Sequence, residues 1–171
     1  AKYFNLNQKL YLHYQEDVSL VPSSIAVIPL LANIAPIAWF VGFDIQVDEL
    51  DETFYNSLQE LKKEFAVHFP QIKEATINYK KLVKNNFSDT NTALLFSGGL
   101  DAFESLTRNI ALNPYLVSVH GADIEISDTK RWEDFKRFNQ EEKTINDNRI
   151  CYVESNLRTF YTFEVDLLVN L

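Results

Sequence analysis

Thr92-Ala93-Leu94-Leu95-Phe96-Ser97-Gly98-Gly99-Leu100-Asp101-Ala102-Phe103 opens the second half of a 171-residue chain. Thr92–Phe96 is a short apolar run with the length of a buried strand. Asp101–Leu112 carries Phe103, Leu106 and Ile110 on one helical face, and Asn113-Pro114 stops it. Between strand and helix, Gly98 and Gly99 let the backbone turn tightly and approach a ligand closely. The first amides of the helix lack intrahelical acceptors and lie at the positive end of its dipole, an arrangement that suits phosphate. Ser97 adds a hydroxyl donor, and Asp101 can cap the helix or hold a magnesium ion that bridges phosphates.

The same alternation continues downstream. Leu116–His120 reads as the next strand, Thr129–Glu142 as a helix burying Trp132, Phe135 and Phe138, and Arg149–Glu154 as a third strand. Strands joined by helices of this length imply crossover connections, hence a parallel α/β sheet with ligands at the carboxyl ends of its strands. The lysine-bearing GxxxxGK[ST] loop is absent, which argues against a kinase or GTPase.

Ser97-Gly98-Gly99-Leu100-Asp101-Ala102 resembles the SGGxD[ST] signature of the PP-loop ATP pyrophosphatases. The departure is Ala102, which stands where Ser or Thr is usual and removes one hydroxyl contact to pyrophosphate. The resemblance covers roughly Thr92 to Asn156, and the loop is its specific part. It implies a doubly wound, adenine nucleotide alpha hydrolase-like sheet. It also implies ATP and Mg2+ as cofactors, with Phe96, Ser97, Gly98, Gly99, Leu100, Asp101 and Ala102 around the nucleotide. Ser97 and Asp101 take the catalytic positions, and Asp101 the metal. The activity implied is adenylation of a substrate carboxylate, amide or base carbonyl with release of pyrophosphate, the chemistry of a ligase or synthetase. The two-part layout looks most like 7-cyano-7-deazaguanine synthase-like proteins with an extra N-terminal domain, some of which belong to bacterial anti-phage systems. The four-cysteine zinc cluster of that synthase is missing, since Cys151 is the single cysteine. An alternative of another class is a catalytically degenerate nucleotide-binding module that partners other proteins, with Ala102 marking the lost activity.

Two further segments follow strands at ligand-binding ends. In His120-Gly121-Ala122-Asp123, His120 either meets the adenine or ribose or is an ordinary strand-end polar residue. In Ser155-Asn156-Leu157-Arg158, Arg158 either clamps a phosphate or substrate carboxylate through its fork or forms a surface ion pair. Cys151, inside an apolar strand, reads as a buried inert thiol rather than a nucleophile. His13 and His68 have no ligand-spaced partners.

The first half is less informative. Tyr3–Tyr14 alternates as a strand or hairpin would. The apolar run Ile25–Phe43 approaches the length of a membrane span, but Pro29, Asn33 and Pro36 interrupt it and no Lys or Arg flanks it closely. Buried strands at Ser24–Leu31 and Ile37–Val47 are the expectation. Phe54, Leu58, Leu61 and Phe65 then mark an amphipathic helix N-capped by Asp51 and ending near Pro70. The polar stretch Lys84–Asn91 suggests a boundary, giving a small α/β domain over 1–88 and a nucleotide-binding domain over 89–171.

Composition narrows the partners. A net charge of −8, with 16 basic residues dispersed among 24 acidic ones, offers no footprint for a nucleic-acid duplex. The resemblance implies a nucleotide, an unidentified small-molecule or protein substrate, and other proteins as partners, and no membrane is expected. One cysteine and no signal peptide fit the cytoplasm. The absence of methionine, including at position 1, and the apolar ending Phe163–Leu171 suggest part of a longer chain.

Overall fold

A computed structural model describes residues 2–87, 91–142, 145 and 149–162. In chain order the elements are β1 (Leu12–Tyr14), α1 (Ser23–Ala26), α2 (Ile28–Val41), β2 (Ile45–Asp51), α3 (Glu52–His68) and β3 (Ile77–Val83). They continue with β4 (Ala93–Leu95), α4 (Leu100–Asn109), a 3₁₀ turn at Ile110–Leu112, β5 (Tyr115–His120), α5 (Thr129–Glu141), β6 (Ile150–Ser155) and α6 (Leu157–Phe160). The chain forms two compact units, one from residues 19–87 and the other from the described residues of 2–18 and 91–162.

The second unit holds a four-stranded sheet in the order β1-β6-β5-β4. β4, β5 and β6 run parallel, with Leu94 opposite Leu116 and Val117 opposite Cys151. β1 joins antiparallel, placing His13 opposite Glu154. α4 and α5 cover one face and touch each other, the rings of Phe103 and Phe138 lying 6.1 Å apart. Between helices and sheet is a core of Phe96, Leu106, Leu116 and Ile145. Two crossovers that step the same way across a sheet put their helices on one face when they share a hand. The strand and helix limits read from the 3.6-residue and apolar-run patterns agree here to within a residue or two. Asn113 at φ 46 ends the 3₁₀ turn that continues α4.

Residues 2–18 belong to this unit and not to the other one, so the division at 1–88 and 89–171 misplaces them. Their alternation yields only the three-residue β1 and a bridge from Phe4 to Tyr161. Asn5 turns the chain between the two, its carbonyl accepting from the Gln8 amide at 3.0 Å. Pairing with a strand more than a hundred residues away leaves no local signal.

In the other unit β2, α3 and β3 form a parallel βαβ unit, with Ile45 opposite Ile77 and Leu50 opposite Leu82. Its core gathers Leu31, Ala35, Ala38, Trp39, Leu50, Leu58 and Ile77. The strands expected at Ser24–Leu31 and within Ile37–Val47 are corrected: α1 and α2 occupy most of that run, and only Ile45 onward is strand. An unbroken apolar run has no period to distinguish a buried helix from a buried strand. Ala32, Ala35 and Ala38 favour the helix, and Pro29 is tolerated in its first turn. Gly42 at φ 85 closes it in the left-handed conformation. At 14 residues α2 is about 21 Å long, short of a hydrocarbon core of about 30 Å. No helix among the described residues is long and apolar enough to cross a membrane. The Phe163–Leu171 ending lies outside the described residues.

Candidate functional site

The loop after β4 is anchored at its start. Phe96 is 2% exposed, its amide donates to the Val117 carbonyl at 2.8 Å, and its own carbonyl accepts from the Ser118 hydroxyl at 2.7 Å. Its ring meets Phe103 edge-on at 5.2 Å, which ties the end of the strand to the helix that follows. Beyond this anchor the chain opens to solvent: Ser97, Gly99, Leu100 and Asp101 are exposed. Gly98 turns the loop at φ 75, and a Cβ there would lie 2.7 Å from a ring carbon of Phe135. That position needs glycine both for its dihedral and for the space it leaves to Phe135.

Gly99 is the N-cap of α4, in extended conformation and with no side chain capping the helix. Ser97 does not fill that place; its Oγ accepts a long bond from the Gly99 amide at 3.4 Å. The amides of Leu100, Asp101 and Ala102 are thus left without an intrahelical acceptor at the carboxyl end of a parallel strand. α3 and α5 begin differently, since Asp51 accepts from the Phe54 amide at 2.8 Å and Asp128 from the Arg131 amide at 3.1 Å. Asp101 lies in the first turn of α4, and Ala102 packs on the Phe96 core.

A cavity of about 200 Å³ adjoins the loop between β4 and β5, walled by Leu95, Phe96, Ser97, Val117, Asp123 and Trp132. Ser118 and Trp132 were not singled out as site residues from the sequence, although both shape this region. A lone serine in the apolar strand Leu116–Val119 is the available signal, because a buried hydroxyl requires a partner.

The other candidates lie apart from the loop. His120 is 4% exposed, with Nδ1 at 3.3 Å from a Glu154 carboxylate oxygen and Nε2 at 3.2 Å from the Glu125 carbonyl. It stacks on Trp132 with ring centroids 4.6 Å apart. Both ring nitrogens face oxygens of the protein, and the stack places His120 against Trp132, which walls the cavity beside the loop. Arg158 donates through Nη1 to the Ala122 carbonyl at 2.6 Å, joining the turn after β5 to α6; it forms no surface ion pair with a described residue. Cys151 is half-buried and donates to Glu16 at 2.9 Å. Burial first, then the Glu16 carboxylate, pushes its thiol up to about 12, which disfavours the thiolate.

No group of three or more His, Cys, Asp or Glu side chains among the described residues is arranged to hold a metal by itself. Asp101 is a lone exposed carboxylate beside the open amides, which fits an ion of the magnesium type held jointly with phosphate oxygens. Comparison with protein-family models, characterised proteins and solved structures gave no match.

Proposed function

We propose that Ser97–Asp101 binds the β- and γ-phosphates of ATP, and that the chain is a PP-loop protein which adenylates a substrate oxygen and releases pyrophosphate. The observation that carries this reading is the uncapped start of α4 behind Gly98 at φ 75, at the carboxyl end of a parallel strand. Unsatisfied amides aimed out of a helix N-terminus are an anion site by their electrostatics. The sheet is proposed to be of the doubly wound kind. β4 pairs only with β5 among the described residues, so its other edge is where a reversal of strand order would begin, with the loop at the switch point. The adjoining cavity is smaller than the roughly 300–1,000 Å³ of complete small-molecule pockets, so it suits one group of the nucleotide, such as the base.

In the proposed reaction a carboxylate, amide or base carbonyl oxygen forms a bond to the α-phosphorus of ATP while the bond from that phosphorus to the pyrophosphate oxygen breaks. Charge grows on the departing pyrophosphate. The open amides of Leu100 to Ala102 and the Ser97 hydroxyl stabilise that charge without having to reorganise. Asp101 would hold magnesium together with the phosphates, and the ion's positive charge would offset the negative charge of the leaving group. A nitrogen or sulfur nucleophile then displaces AMP from the adenylated substrate.

Ala102 favours a second reading on one point. A small apolar side chain packed on the core stands where the resemblance calls for a hydroxyl, as in a nucleotide-binding module that has lost turnover. A pyrophosphate-release assay with Mg-ATP and a panel of carboxylic acids, amides and deazapurines separates the two. Substrate-dependent release is expected of the adenylating enzyme. ATP binding without release from any of them would overturn turnover and leave the module.

A further inference from the structure

The carboxyl ends of β5 and β6 frame a second cleft, of about 790 Å³, which shares no lining residue with the cavity beside Phe96. Its base depends on Gly121, buried at φ 98, where a Cβ would fall 1.9 Å from the Ser155 carbonyl oxygen. Only glycine lets the turn after β5 close onto the end of β6 at that distance. One wall is the N-terminal segment, held by the buried Asn156. Its Oδ1 accepts from the Tyr11 amide at 3.0 Å and its Nδ2 donates to the Lys9 carbonyl at 2.9 Å. The opposite side carries Arg158, fixed through Nη1 on Ala122 with the rest of its fork uncommitted.

Charge points to the ligand. In a chain of net charge −8, this cleft is lined by two cations, Lys9 and Arg158, against one carboxylate, Glu125, whose oxygen already receives the Ser127 hydroxyl at 3.4 Å. Neither cation is ion-paired with a described residue. Lys9 has its backbone anchored and Arg158 its guanidinium, so part of the ordering cost of binding is already met before a ligand arrives. The volume falls within the range of small-molecule sites, and the location is the ligand-binding end of a parallel sheet.

We propose that this cleft is a second binding site, for a small molecule bearing an oxyanion that Lys9 and Arg158 hold together. The site stands independently of the nucleotide reading of the β4 loop. It also gives the N-terminal segment a task, since Gln8, Lys9 and Tyr11 build one wall of the cleft. The oxyanion is either a carboxylate or a phosphate, and the two are separable by experiment.

The test is amide-resolved NMR titration of the whole chain with succinate and, separately, with inorganic phosphate. Saturable shifts are expected at Gly121, Ser127, Arg158 and Thr159 with at least one probe. Succinate alone identifies a carboxylate ligand, phosphate alone a phosphorylated one, and either supports the site. Lys9→Ala removes the ammonium with its exposed stem and keeps the backbone carbonyl that Asn156 holds, and should weaken binding about tenfold with an unchanged thermal midpoint. Arg158→Lys keeps charge but loses the fork, and should weaken it as well. Absence of saturation at these amides with both probes up to about 10 mM, or an affinity indifferent to Lys9→Ala, would overturn the proposal.

Discussion

α3 and α4 both begin where a parallel strand gives way to a helix, yet their first turns are finished in opposite ways. At α3 the strand ends on Asp51, 6% exposed, whose carboxylate takes the Phe54 amide on one oxygen and the Asn85 side chain on the other. The Asn85 amide reaches on to the buried Ser24 hydroxyl, so the helix start is sealed into its own unit. At α4 two glycines and an exposed serine stand in the same place, and no side chain caps the helix. A sealed start stabilises the fold. An open one leaves amides for a ligand, and with glycine at the N-cap the forgone capping costs only about a few tenths of a kcal/mol. The same junction thus serves structure in one unit and, on the proposed reading, chemistry in the other.

Substitutions at these junctions should break the contrast in a graded way. The largest effect is expected from Gly98→Ala, which forces a side chain into positive φ and against Phe135. Denaturant unfolding should show a loss of about 2–4 kcal/mol, with nucleotide binding impaired as well. Asp51→Ala should cost about 1–2 kcal/mol by the same measurement and leave nucleotide binding intact. Asp51 also has a pH signature. The Asn85 side chain, then the Phe54 amide, lower its pKa below the usual carboxylate value. Its contribution is therefore complete above the unfolded-state pKa of about 3.9 and is lost as pH falls through the lower folded value. Wild-type stability should fall over that acid range, and the Asp51→Ala difference should shrink with it. Asp101→Ala touches no capping bond and should change stability by less than about 0.5 kcal/mol, its effect appearing in ligand binding alone. The smallest change is expected from Ala102→Ser, which should raise pyrophosphate release without altering ATP affinity by more than about threefold. No gain in release would sever the proposed link between Ala102 and lost turnover.

The legibility of the chain follows the range of its interactions. β4 to β6 with α4 and α5 could be read because their signals are local: Gly98-Gly99 before α4, Asn113-Pro114 after it, and Trp132 and Phe135 on one face of α5. The turn was legible for the same reason, Gly98 being demanded by its backbone dihedral. Ile25–Phe43 was misread because apolarity without period states burial and not conformation. The alternation of Tyr3–Tyr14 gave β1 as a strand, but not its pairing or the N-terminal wall, because the partners, Glu154 and Asn156, lie far along the chain. His120 could be placed at a strand end, but not in its stack on Trp132, since that contact depends on how α5 crosses the sheet.

The central claim is that the open start of α4 holds the phosphates of ATP, and isothermal titration with Mg-ATP tests it most directly. Saturable binding by the wild-type chain, weakened at least about tenfold by Asp101→Ala and unaffected by Asp51→Ala, is the predicted result. Absence of binding, or an affinity indifferent to Asp101→Ala, would contradict the claim and return Ser97-Gly98-Gly99 to an ordinary strand-to-helix turn.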